Sequence, residues 1–187
     1  MFLDREDILK MGFKSVGENV LISDKASIYG FKNISIGNNV RIDDFCVLSA
    51  GDGGIEIGNN VHIAIYCSII GQERIVMKDF SGLSSRVSIY SSTDDYSGEF
   101  LTNPTINPKF TNIISGEVIL GKHVIVGSGT VILPNVNISD YSAVAALSLV
   151  TKDIEEFKIV GGIPSKVIKD RKNNLINLEC EYLKNSK

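Results

Sequence analysis

The chain has 187 residues, with 19 Lys and Arg against 22 Asp and Glu, for a formal net charge of −3. That length fits one domain with a sizeable core, and 43% hydrophobic residues with 17 Gly describe a globular chain rather than a disordered one. The acidic balance without a long Lys/Arg block argues against a nucleic-acid or anionic-membrane binder, and no apolar run approaches the ~18 residues of a spanning helix.

The amino terminus, MFLDREDILK, carries acids where a secretion signal has a basic segment and then an unbroken apolar stretch, so a cytoplasmic protein is expected. Within residues 2–14, Leu3, Ile8, Leu9 and Met11 are spaced for a short amphipathic helix that caps the rest of the chain. Beta-branched residues then dominate: the chain holds 26 Ile and 16 Val against 13 Leu, which favours strands. They recur every sixth residue, as Val16, Ile22, Ile28, then Ile36, Ile42, Leu48, then Ile57, Ile63, Ile69, then Met77, Leu83, Ile89. From Leu120 the period runs unbroken through Val126, Ile132, Ile138 and Val144 to Val150. Group starts at 16, 36, 57 and 77 lie 20, 21 and 20 residues apart, and 120 and 138 lie 18 apart, three times six. Each group therefore reads as one three-sided turn of a coil, with two or three extra residues at one corner. The fourth residue after a repeat position is usually small (Ala26, Cys46, Cys67, Thr130, Ser142, Ser148), which suits the inside of a tight corner.

A mainly β architecture is expected: a triangular parallel prism of about six coils over residues 15–154. One short strand cannot bury its apolar side alone, whereas stacked coils share a continuous ladder. A β-sandwich, with hairpins and strands every 8–12 residues, does not match a six-residue period. Residues 90–117 break the period and hold Pro104 and Pro108; a loop that long is usually functional. Residues 155–187 come after the last coil and read as a terminal helix. Cys46, Cys67 and Cys180 lack metal-ligand spacing, so reduced thiols are expected, with Cys46 and Cys67 as small buried groups.

The run LGKHVIVGSGTVILPNVNISDYSAVAALSLVTKDI, followed by VGGIPSKVIKDR, resembles the hexapeptide-repeat acyltransferases over roughly residues 15–171. That resemblance implies a left-handed parallel β-helix, a hand that spacing alone does not supply because parallel crossovers are normally right-handed. GGIPSKVIKDR is similar to the segment that completes the coenzyme A site in this family, which implies Pro164, Lys166, Lys169 and Arg171 near the coenzyme. IYSSTDDYSGE followed by LTNPT resembles the nucleotide-linked amino-sugar N-acyltransferases within the family. The resemblance implies a homotrimer with acyl-CoA in the groove between two prisms. It also implies that the loop reaches a neighbouring subunit to build the sugar pocket, in the service of surface-glycan assembly.

On that footing, Gly127, Ser128 and Gly129 would let a pantetheine arm approach the backbone, whose N–H groups serve the oxyanion. Ala145 and Ala146 are small on the next coil, and Lys166, Lys169 and Arg171 could meet the phosphates. The O-acetyltransferases of the family look to a histidine in the inserted loop. Here the only histidines are His62 and His123, both in repeat corners. A sugar hydroxyl needs a near-neutral base, whereas an amine carries a usable lone pair once its ammonium proton is gone. Asp94, Asp95 and Glu99 in the loop are candidates to take that proton, since neighbouring acids raise one another's pKa. The expected activity is transfer from acetyl-CoA or another acyl-CoA to the amino group of a nucleotide-linked deoxyamino sugar, with no metal. A sugar O-acetyltransferase and a noncatalytic β-helix assembly module are the alternatives. A zinc hydratase on the same prism needs three His ligands where the chain has two.

Overall fold

A computed structural model describes residues 1–185. Short strands visit three parallel sheets in strict rotation, and these sheets are the faces of a triangular prism. The first face starts at Ser15–Val16, the second at Leu21–Ile22 and the third at Ser27–Tyr29, and the chain returns to the first face at Ile34–Ile36. The first and third faces stack six strands each. The second adds a seventh parallel strand, Lys158–Gly161, and then an antiparallel one, Lys166–Asp170. There are thus six complete coils and part of a seventh. Coiling continues past residue 154, where the repeat alone places its end, because Ile154 bridges Ile138 on the first face.

The six-residue period is the core. Up the second face, Ile22, Ile42, Ile63, Leu83, Val126, Val144 and Val160 pair in unbroken register, and none is more than 3% exposed. Each such aliphatic contributes about 1.5–3 kcal/mol of burial, and no coil has a core of its own.

Corners set the shape. At the first corner, between the first and second faces, Asn19, Asn39, Asn60, Phe80, His123, Tyr141 and Phe157 all adopt left-handed backbone, with φ between 54 and 62°. Asparagine tolerates that conformation, and Asn19 Nδ2 donates to Asn39 Oδ1 at 3.0 Å. In the upper coils ring stacking offsets the conformational cost: Phe80, His123, Tyr141 and Phe157 succeed one another at 4.7, 5.5 and 4.8 Å between centroids. His123 is one rung of that column. The third corner takes every insertion, from the helical turn Phe31–Asn33 to the long loop that leaves coil four at Tyr90 and returns at Val118. That loop opens with an antiparallel pair, Ser92–Asp94 against Ile113–Ser115.

Helix α1 (Arg5–Lys10) caps the amino-terminal end by burying Ile8, while Leu9 is 56% exposed. A helix of under two turns presents one residue to the prism, so the inward place expected for Leu9 is not realised. Helix α2 (Leu175–Asn185) runs down the first corner. Glu179 accepts from Lys122 Nζ and, at 3.0 Å, pairs with His123 Nε2. Below it Tyr182 sets its ring edge on Phe80 and donates to Asn60 Oδ1 at 3.3 Å.

Candidate active site

At the second corner, between the second and third faces, register aligns two rows of residues. Directly after the strands come Asp43, Ala64, Ser84, Gly127, Ala145 and Gly161; next come Asp44, Ile65, Ser85, Ser128, Ala146 and Gly162. From coil four upward both rows hold only Ser, Gly and Ala. Below coil four they hold Ala64, Ile65, Asp43 and Asp44, followed in the chain by the stacked rings of Phe45 and Tyr66, 5.1 Å apart. A side chain at Gly127 would meet Ala146 N at 2.4 Å, so that position demands glycine, and one at Gly129 would press on the Leu147 side chain at 2.8 Å.

The structure narrows the expected oxyanion donors. Gly127 N–H donates to Val144 O at 2.8 Å and Gly129 N–H to Ser85 O at 3.1 Å, so neither is available. Among the described residues, the N–H groups of Ser85, Ser128 and Ala146 have no protein acceptor. Ser85 is absent from the candidates that the sequence offers, although stepping one coil back from Ser128 across the inserted loop leads to it.

The basic residues of the closing segment do not converge. Lys166 lines a cavity of about 380 Å³ at the prism end with Lys152, Lys158 and Ser165. Lys169 lines a separate one of about 520 Å³ between the second face and α2. Arg171 Nη1 donates to the carbonyls of His123, Tyr141 and Ser142 at 2.8, 3.1 and 2.8 Å. That grip holds the chain after the prism, and burial pushes the guanidinium pKa down. Pro164 is exposed next to the top of the second corner.

In the loop, Asp94 is half-buried; its Oδ1 accepts from Asn103 N at 3.2 Å, and Oδ2 has no protein partner among the described residues. Glu99 is exposed, and its carboxylate makes no ion pair among the described residues. Asp95 behaves otherwise. Its Oδ1 accepts from Ser97 N at 2.6 Å and its Oδ2 from Asn112 Nδ2 at 2.7 Å, so it staples the loop across 17 residues. Hydrogen bonds from Ser97 first and Asn112 next hold its carboxyl below the ordinary range, against the mutual raising expected of adjacent acids. Consecutive side chains on an extended segment face opposite sides, which separates Asp95 from Asp94.

Asp94 and Ser85 lie beyond opposite edges of the third face, so one chain does not bring them together. His62 pairs with Asp43 at 2.8 Å on the lower second face. Burial of Asp43 is outweighed by hydrogen bonds from His62 and Arg41, and its carboxyl is held low. A larger cavity, about 750 Å³, runs along the first face past Ser35, Glu56, Lys78 and Asp140 and touches none of the expected site residues. No group of three His, Cys, Asp or Glu among the described residues is arranged to hold a metal.

No family model matches the chain. It is 55% identical over 181 residues to dTDP-4-amino-4,6-dideoxy-D-glucose acyltransferase of Escherichia coli, a match spanning 97% of this chain and 94% of that one. It superposes with a TM-score of 0.95, at 48% identity and 98% coverage of both chains, on a serine-to-alanine variant of AntD, an N-acyltransferase from Bacillus cereus, in complex with dTDP-4-amino-4,6-dideoxyglucose and coenzyme A. AntD in complex with dTDP and 3-hydroxybutyryl-CoA matches at a TM-score of 0.94 and 47% identity, over 99% of this chain and 97% of AntD.

Proposed function

Because the chain belongs to the nucleotide-linked amino-sugar N-acyltransferases of the hexapeptide-repeat family, we propose that it moves an acyl group from coenzyme A to the amine of a dTDP-linked 4-amino-4,6-dideoxy sugar. The observation that carries this reading is the 55% identity running nearly end to end, inserted loop included. Acyl-CoA lies along the small-residue rows of the second corner, where the Gly127 and Gly129 backbone leaves room and the Ser128 and Ala146 N–H groups meet the amide carbonyls of the pantetheine arm. Pro164 and Lys166 bound its outer end, and Arg171 fixes the segment that carries them.

The amine reaches the thioester as a free base. Its lone pair forms the N–C bond, the carbonyl π pair moves to oxygen, and collapse breaks the C–S bond and sends the pair away on sulfur. The ammonium proton must then leave nitrogen, and Asp94, with Glu99 as a second carboxylate, is the group placed to take it. Asp95 serves by stapling the loop. Since the loop and the second corner of one chain sit apart, the working unit is a homotrimer whose loop crosses to a neighbour. A cytoplasmic enzyme that feeds surface-glycan synthesis fits this chemistry, because nucleotide-linked sugars are donors for glycan assembly.

The test is release of coenzyme A from acetyl-CoA and 3-hydroxybutyryl-CoA, with dTDP-4-amino-4,6-dideoxyglucose or its 4-hydroxyl counterpart as acceptor. Mass spectrometry of the product is expected to show an N-acyl sugar from the amine only. Equal acylation of the hydroxyl counterpart would overturn the reading in favour of O-acylation.

A further inference from the structure

We propose that Ile65 closes the lower end of the acyl-CoA groove and sets the length of the acyl chain that is transferred, with the clamped ring of Tyr66 as the wall beside it. The inference rests on the acyltransferase reading and deepens it, naming the acyl chains that the site admits. Register places Ala64, Ile65 and Tyr66 of coil three directly below Ser84, Ser85 and Arg86 of coil four. Above Ile65 its row runs through Ser85, Ser128, Ala146 and Gly162, with no side chain larger than a hydroxymethyl. Ile65 is thus the first bulky group that a chain descending this row meets.

Below it the groove offers no apolar continuation. Asp44 follows in the same row, its carboxylate accepting from Ser23 Oγ and, at 3.2 Å, from Lys25 Nζ. Asp43, beside it, pairs with His62 and Arg41. A hydrocarbon laid over these ionised groups would strip water from them and offer no hydrogen bond in return.

The boundary is also stiff. The Tyr66 ring stacks on Phe45, one coil below, at 5.1 Å and 13°. The Arg86 guanidinium, one coil above, lies over the same ring at 5.1 Å. Lys25 continues the column over Phe45 at 5.5 Å. Ile65 itself is half-buried, its carbonyl accepts from Arg86 N at 3.1 Å, and a β-branched side chain has little χ1 freedom. A wall that could swing aside would only grade chain lengths, whereas one held in place cuts them off.

Height fixes where the cut falls. Coil four lies three coils, about 14 Å, below Gly162, room for a pantetheine arm that enters at the prism end. The acidic loop departs from coil four. In a threefold assembly with parallel prism axes, neighbours face each other at equal height, so a neighbour's Asp94 meets the reacting amine at that level. With the thioester at coil four, the acyl chain has one coil of height, about 4.8 Å, before it reaches Ile65. A zigzag of C–C bonds of about 1.5 Å spans that height in about three or four bonds. Acetyl and butyryl groups therefore fit, and a hexanoyl group does not.

The test is kcat/KM for acetyl-, butyryl-, hexanoyl- and octanoyl-CoA with dTDP-4-amino-4,6-dideoxyglucose as acceptor. Read as a ratio to acetyl-CoA within one protein, it is insensitive to a general loss of activity. Wild type is expected to keep butyryl-CoA within about tenfold of acetyl-CoA and to fall at least about 100-fold on hexanoyl-CoA, since one ill-fitting methylene costs about 10- to 200-fold. Ile65→Ala, which copies Ala146 of the same row, should raise the hexanoyl-to-acetyl ratio about 10- to 200-fold. Ile65→Phe should lower the butyryl-to-acetyl ratio about tenfold or more. A wild type that uses hexanoyl-CoA as well as acetyl-CoA would overturn the proposal, and so would an unchanged hexanoyl-to-acetyl ratio in a folded Ile65→Ala. Should that variant fail to fold, Ile65→Phe decides, and an unchanged butyryl-to-acetyl ratio there overturns the proposal. A wild type inactive with all four would instead defeat the acyltransferase reading itself, which keeps the two failures distinct.

Discussion

Asp94 keeps one carboxylate oxygen without a protein partner among the described residues, Glu99 is exposed and makes no ion pair among them, and the proposed chemistry gives the two unequal work. Asp94→Asn keeps the hydrogen bond from Asn103 N but removes the charge. It should lower turnover about tenfold to a thousandfold, with coenzyme A affinity unchanged by calorimetry. Part of the loss should return at higher pH, where more of the amine is already deprotonated. Near wild-type turnover in both Asp94→Asn and Glu99→Gln would reduce the loop to sugar binding, the proton then leaving to the departing thiolate. The histidines should matter differently. His62→Ala removes a surface pair with Asp43 and is expected to keep most turnover. His123→Ala removes a rung of the aromatic column and one of the two donors to Glu179, so thermal stability should fall while turnover persists. A fall in turnover of about a hundredfold for a folded His123→Ala would revive a histidine base.

Helix α2 is held by few contacts, and Glu179 is central to them. Burial alone would raise its carboxyl pKa, but hydrogen bonds from Lys122 and His123 outweigh that and hold it below the ordinary glutamate range. A carboxylate depressed in the folded state adds stability above its unfolded pKa and loses it as pH falls through the folded one. The helix should therefore stay docked at neutral pH and release as pH drops below the ordinary glutamate value of about 4.3. Glu179→Gln should lower Tm by about 3 °C or more at neutral pH, and scanning calorimetry should show the gap to wild type closing as pH falls into the acid range. A constant gap across that range would mean that packing of Tyr182 and Leu175, not charge, seats the helix.

At the scale of the molecule, the proposed chemistry calls for a neighbour, because Asp94 and the second corner of one chain sit apart. Light scattering should report a trimer, and a stable monomer with full activity would remove the shared site. Subunit mixing is the sharper check. Ala146→Trp fills the exposed groove but leaves the loop intact, whereas Asp94→Asn does the reverse. Each homotrimer should be weak. Co-expressed chains should recover activity, because about a quarter of interfaces in an even mixture join a sound loop to a sound groove.

What the six-residue period determined by itself was the prism: which residues point inward, where the insertions fall, and that residues 90–117 form one loop on coil four. Those are consequences of local spacing, since every sixth residue must face a core that only stacked coils can close. The closing segment and the loop motif pointed to the acyltransferase chemistry through their resemblance to the hexapeptide-repeat acyltransferases. Only the tertiary structure decided the division of labour inside the site. Asp94 and Asp95 are adjacent in sequence, yet Ser97 and Asn112 claim one and leave the other open. Arg171 resembles a phosphate ligand until three carbonyls of the prism are seen around it. Peptide-plane orientation and hydrogen-bond commitment arise between coils, and a one-dimensional period carries no record of them.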